Sequence, residues 1–124
     1  MLKDYLYTIK HEEHISPHSM LYQIEVMADS EIYKAHFPQY PITPGVCLMQ
    51  IAKELMEKHF ETPLMLTQSR NIRYYRPVEP SITPIVDCHF TIKSQEDNTI
   101  KVDVNIMRDE ELFAKMSLCF EKRK

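Results

Sequence analysis

From Ser19 to Val26 the chain reads SMLYQIEV, with Met20, Tyr22, Ile24 and Val26 on one side and Leu21, Gln23 and Glu25 on the other. Alternation with a period of two predicts a strand with one buried face. A shorter strand or helical turn is expected before it, around Leu2 to Ile9. The segment HFPQYPITPG carries prolines at 38, 41 and 44. Each removes a backbone donor and restricts its predecessor, so the segment is expected to be an ordered loop of fixed shape. Thr43 then offers a hydroxyl as N-cap and Pro44 suits the first helical position, which predicts a helix from Pro44 to His59. The first half of that helix, GVCLMQIA, is apolar nearly all the way round and is expected to be buried on every side. Lys53, Glu54, Glu57 and Lys58 mark later turns emerging into water. Thr62 and Pro63 end it.

After the helix only strand patterns and turns follow. LMLTQSRNIRYY leads to a proline-marked turn, RPVEPSITP, then IVDCHFTI, a turn at SQEDN, IKVDVNI with Ile100, Val102, Val104 and Ile106 on one face, and a turn at RDEE. LFAKMSLCF closes the series, with Leu112, Ala114, Met116, Leu118 and Phe120 alternating with Phe113, Lys115, Ser117 and Cys119. Antiparallel strands with one apolar side need cover, and one helix apolar all round supplies it. The predicted class is α+β: a curved antiparallel sheet wrapped around one long central helix. An open edge strand would invite a second copy to pair, so a dimer through continued sheet is expected.

The 124 residues suit one domain, 1–124, with no repeat, linker or low-complexity segment. Charged residues are 27% and apolar residues 44%, which points away from disorder, and the net charge of -3 argues against a general nucleic-acid binder. No apolar run approaches the roughly 20 residues needed to span a bilayer, and the N-terminus lacks the core of a signal peptide. A cytoplasmic protein is the expectation. Cys47, Cys88 and Cys119 are an odd number with no CxxC pair, which reads as three reduced thiols, with neither a disulfide frame nor a metal site. The single glycine, Gly45, stands against about nine at an average usage of about 7%. It is expected where a side chain would block something close to the backbone.

These residues suggest a chemistry. A helix start presents unpaired N–H groups and the positive end of the dipole, suited to a developing oxyanion, and Gly45 would let a carbonyl approach. His36, in the rigid loop, is a candidate base for a proton beside that carbonyl. The plainer alternatives are a packed or surface histidine and a glycine that allows close helix-to-strand packing. In HEEHISPH, His11, His14 and His18 sit at helix-like intervals, but the pattern is not HExxH and reads as a solvated polar segment. Cys47, among Val46, Leu48 and Met49, reads as an inert thiol. Tyr22, Tyr33, Phe37, Tyr40, Leu48 and Met49 suit the lining of an apolar tunnel and a core equally well.

HFPQYPITPGVCLMQIAKE resembles the signature of the 3-hydroxyacyl-(acyl carrier protein) dehydratases: histidine-phenylalanine-proline, prolines at matching intervals, Pro-Gly-Val, then a helix. IRYYRPVEPSI resembles that family's second block and LFAKMSLCFEK its last strand, so the likeness runs from about Ser19 onward. The resemblance implies the hot-dog fold and a dimer whose site takes a histidine from one subunit and an acid on the central helix of the other. The implied reaction removes water from a 3-hydroxyacyl thioester to give the trans-2-enoyl thioester. The substrate rides on the phosphopantetheine of acyl carrier protein, the implied partner, and no other cofactor is implied.

Position by position, the resemblance makes His36 the residue that takes the α-proton, and Gly45 with Val46 the N–H groups on the thioester oxygen. The family's acid falls at Gln50, an amide that hydrogen-bonds but cannot deliver a proton. Where the family tends to have glutamine, four residues on, stands Glu54, a substitute acid or, on the polar end of the helix, a solvated charge. Arg70, Arg73 and Arg76, with Lys34, are candidates for a basic patch near the pocket mouth that would receive an acidic carrier, or equally for a solvated sheet face paired with the many glutamates. Three activities fit: a dehydratase in which Gln50 or Glu54 assists His36, a weak subunit completed by a related chain in a heterodimer, and a hot-dog thioesterase or acyl-binding module.

Overall fold

The computed structural model describes residues 1–35 and 41–123. Strands β1 (Tyr7–Ser16) and β2 (Ser19–Val26) come first, followed by a short helix α1 (Glu31–Ala35) and the long helix α2 (Gly45–Phe60). Four strands complete the chain: β3 (Leu64–Tyr74), β4 (Ile85–Glu96), β5 (Thr99–Arg108) and β6 (Glu111–Lys122). They join β1 and β2 in one six-stranded sheet of order β1-β2-β4-β5-β6-β3, each neighbouring pair antiparallel.

The sheet lays its apolar face on α2. Met20, Tyr22, Ile24 and Val26 of β2 are buried as their alternation predicts, as are Val86, Cys88, Phe90 and Ile92 of β4 and Ile100, Val102, Val104 and Ile106 of β5. Leu48, Ile51, Ala52, Leu55 and Met56 of α2 join the same core. Each large apolar side chain fully buried there contributes about 1.5–3 kcal/mol before the entropy cost of ordering it. Along β6 the alternation holds for Ala114, Met116, Leu118 and Phe120, but Phe113 is buried beside Ala114. The ladder to β5 shifts there, with Ile106 opposite Ala114 and Met107 opposite Leu112, so one residue changes face. Left-handed positions do without glycine: Asp97 and Asp109 in hairpin turns, Asn71 at the irregularity in β3 and Glu61 at the end of α2 take φ values of 53°, 55°, 52° and 53°. Asn and Asp tolerate this region better than other residues bearing a side chain.

Several expectations need correction. The first strand is β1, which runs on through the polar stretch HEEHIS to Ser16 instead of ending near Ile9. Backbone pairing with β2 forms it despite two polar faces, and His14 stacks on His59 of α2 with ring centroids 5.3 Å apart. Thr43 is not the N-cap. Its hydroxyl is buried and paired with the Tyr33 hydroxyl at 2.7 Å, and Pro44 holds the cap position with no side-chain cap bond. The burial expected along α2 is reversed at two points: Val46 in the first turn is 71% exposed, and Glu54 in the third is 3% exposed. Helix α1 carried no signal in the hydrophobic pattern. No helix among the described residues is long and apolar enough to cross a membrane.

Candidate active site

Two sequence blocks far apart in the chain meet at the start of α2. Ile42, Thr43, Pro44, Gly45 and Leu48 form one wall of a cavity of about 320 Å³, and Tyr74, which ends β3, with the following residues to Val78 forms the other. The wall from β3 is placed by a ladder irregularity: between Arg70 and Arg73 the pairing with β6 shifts around Asn71, and Tyr74 then lies opposite Ala114, a core-facing position. Tyr74 thereby turns toward the helix while Arg73, opposite Lys115, faces outward. Thr43 is anchored by its N–H to the Val78 carbonyl at 2.9 Å as well as by Tyr33, so the two blocks are tied directly.

The first bonds of the helix run from the N–H groups of Cys47 and Leu48 to the Pro44 carbonyl. The N–H groups of Gly45 and Val46 precede that ladder, as the first donors of any helix do. Gly45 does not have a positive φ, so the single glycine is not required by backbone conformation. Space requires it. A Cβ built on Gly45 would lie 2.5 Å from Tyr74 Oη and 2.6 Å from its Cζ. The group close to the backbone is thus the protein's own phenol, whose pKa burial pushes up. Tyr74 and Tyr75, which line the cavity, are nonetheless 51% and 52% exposed, and Val46 in the same helical turn as Gly45 is 71% exposed.

Gln50 lies further along the helix and points onward, away from the helix start. Its Nε2 donates to Glu54 Oε2 at 2.9 Å. Glu54 also accepts from Leu2 N at 2.7 Å, Lys3 N at 3.0 Å and the Tyr7 hydroxyl at 3.0 Å. Burial alone would raise the Glu54 pKa, but the Leu2 N–H, the Gln50 amide, the Lys3 N–H and the Tyr7 hydroxyl together hold it below the ordinary carboxylate range. The same contact, after burial, pushes the Tyr7 phenol far up. Glu54 is therefore neither a solvated charge nor a carboxylic acid with a proton to give: it is an ionised acceptor filled by four donors. The signal that could have shown this was its place among Ile51, Ala52, Leu55 and Met56, all buried.

The other sequence candidates separate. Among the three arginines, Arg76 alone lines the cavity, and it pairs with Glu111 at 3.2 Å. Arg70 lies with Lys93 and Lys101 around a shallow basin on the sheet's outer face. The single patch expected of Arg70, Arg73 and Arg76 at the mouth is thus divided between two faces, because the shift around Asn71 turns the strand between them. Tyr22, Tyr33 and Leu48 are core residues and Met49 is half-buried. Cys47 is half-buried, and burial raises its pKa, as befits an inert thiol. His36, with Phe37 and Tyr40, lies outside the described residues. Among those described, no group of three or more His, Cys, Asp or Glu side chains could hold a metal.

Comparison with solved structures returns the same architecture. A dehydratase heterocomplex, ApeI:P, from Xenorhabdus doucetiae matches over 91% of this chain and 96% of its own, with TM-score 0.67 and 13% identity. A thioesterase from Staphylococcus aureus matches over 99% and 98%, with TM-score 0.69 and 14% identity. The TT0310 protein from Thermus thermophilus matches over 98% and 96%, with TM-score 0.64 and 15% identity. At such identities the likeness is one of fold, and the fold is the hot-dog architecture. No curated protein matches the chain. A family model does, that of the ApeI dehydratase, over residues 10–116, which takes in both walls of the cavity and both members of the Gln50–Glu54 pair. The chain belongs to the ApeI-like dehydratase family.

Proposed function

We propose that this protein removes water from 3-hydroxyacyl thioesters carried on the phosphopantetheine of acyl carrier protein, giving the trans-2-enoyl thioester. The observation that carries the reading is the cavity in which the Ile42–Leu48 and Tyr74–Val78 segments meet at the helix start, whose first N–H groups precede the helical ladder, within a chain of dehydratase family. In this reading the Gly45 and Val46 N–H groups hold the thioester oxygen, where charge develops as the α-proton leaves. His36 takes that proton. The C2–H electron pair becomes the C2–C3 double bond, the C3–O bond breaks, and the imidazolium returns the same proton to the departing oxygen, which leaves as water. One histidine thus balances the reaction without an acid at position 50. Loss of a separate general acid typically costs on the order of 10²- to 10⁴-fold in rate, so a slow or specialised enzyme is expected.

A second reading is favoured by the state of Glu54. With Gln50 an amide and Glu54 ionised and filled, neither residue supplies a proton, and a carboxylate from a related chain in a heterodimer would. The ApeI:P structure is described as a heterocomplex, which gives such pairing a precedent within this fold. Purified protein incubated with 3-hydroxyacyl carrier substrates, followed by mass spectrometry for loss of water and for free acid, separates the readings. Enoyl product from the chain alone supports the first. Product only after a related chain is added supports the second. Free acid with no enoyl product overturns both in favour of thioester hydrolysis.

A further inference from the structure

Glu54 is the only carboxyl or basic side chain in the buried core among the described residues, where the other buried non-aromatic polar residues are Ser30 and Thr43. It is held by no cation. Oε2 accepts from Leu2 N and Gln50 Nε2, and Oε1 accepts from Lys3 N and the Tyr7 hydroxyl. Two donors on each oxygen satisfy an ionised carboxylate, whereas a protonated one would place a hydrogen among converging donors. Removing this lone carboxylate would leave four donors without their acceptor, so it has a structural use, and the arrangement gives it one more.

That use is visible in the fourth donor. A carboxylate only accepts, so the atom of Gln50 that faces it must be Nε2, and this fixes the orientation of the amide. Its carbonyl oxygen is then turned from Glu54 and has no hydrogen-bond partner among the described residues. We propose that Glu54 is the positioning residue of the site: anchored by Tyr7 and the N-terminal segment, it holds Gln50 so that Oε1 is offered as an acceptor to the substrate's 3-hydroxyl. The inference rests on the dehydratase reading and deepens it. A hydroxyl that donates to Gln50 keeps its lone pairs free for the proton returned by His36, so the amide selects and orients the leaving group without protonating it.

The test combines a spectroscopic readout with kinetics. In ¹⁵N-labelled protein at neutral pH, one side-chain N–H of Gln50 should be shifted downfield and exchange slowly with solvent. The signal should persist as pH falls through the ordinary carboxylate range and be lost only below it. Tyr7→Phe, which removes one donor and keeps the ring in the core, should raise the pH at which the signal is lost. Glu54→Gln should abolish the shift and lower kcat about tenfold, with KM changed less than twofold. A Gln50 amide with free-glutamine shifts and fast exchange in the wild type overturns the positioning role, whatever the activity. So does equal turnover in wild type and a folded Glu54→Gln. A held amide in a protein that dehydrates no substrate supports the positioning and overturns the dehydratase reading instead.

Discussion

The first and third turns of α2 belong to one helix and are built in opposite ways. The first turn is apolar in sequence, yet Val46 is largely exposed and a half-exposed phenol rests on the bare Cα of Gly45. The third carries Glu54, which is buried and fully bonded. Apolarity does not bury a residue unless cover is within reach, and charge does not expose one when enough donors converge. The first turn is covered on one side by the segment after β3. The third lies under the N-terminal segment, whose backbone N–H groups supply half of the donors to the carboxylate.

This contrast can be broken by substitution. Glu54→Leu leaves Leu2 N, Lys3 N, the Tyr7 hydroxyl and the Gln50 amide without their acceptor, and at 1–3 kcal/mol for each buried group left unpaired the loss should reach at least about 3 kcal/mol in urea unfolding. A loss below about 1 kcal/mol would show that the third turn is not held by its carboxylate. The pH dependence is the second effect. Folding lowers the Glu54 pKa, so its carboxylate adds stability above the ordinary carboxylate range, and that increment is lost as pH falls through the lowered value. The wild type should therefore lose stability below about pH 4 more steeply than Glu54→Gln. Parallel curves would count against the ionised state.

At the first turn the effects are smaller. Gly45→Ala must displace the Tyr74 phenol and should cost about 1 kcal/mol, since the displaced group is the free end of a side chain. Tyr74→Ala in the same background should remove most of that penalty, and additive losses would mean that Gly45 serves something other than Tyr74. The Tyr33–Thr43 bond gives an effect of the same size. Tyr33→Phe should cost about 1 kcal/mol, with Thr43→Val adding little once Tyr33 is changed, because the hydroxyls bond each other and neither caps the helix.

The sheet was legible because β2, β4 and β5 alternate cleanly, and period two with one buried face has few competing readings. β1 was not, since an edge strand that is polar on both faces leaves no period to read and is set by its ladder to β2. In the candidate site, the two blocks lining the cavity could be named from their proline and aromatic patterns, though not the fact that Tyr74 fills the space beside Gly45. That depends on a one-residue shift around Asn71, a three-dimensional accident of register. Glu54 was misjudged for a similar reason. Its apolar neighbours Ile51, Ala52, Leu55 and Met56 hinted at burial, but its donors at Leu2, Lys3 and Tyr7 are distant in sequence and mostly backbone, and no side-chain pattern announces them.

The most direct measurement is turnover of a 3-hydroxyacyl carrier thioester by wild type, His36→Ala and Gln50→Glu. With one histidine moving the proton and an amide in the acid's place, His36→Ala should lose at least about 10²-fold in kcat. Gln50→Glu places a second carboxyl against ionised Glu54, where like charges favour sharing a proton, and the acid so created should raise kcat by about 10²-fold. Equal rates for wild type and His36→Ala, or no change in Gln50→Glu when its fold is intact, would contradict the account.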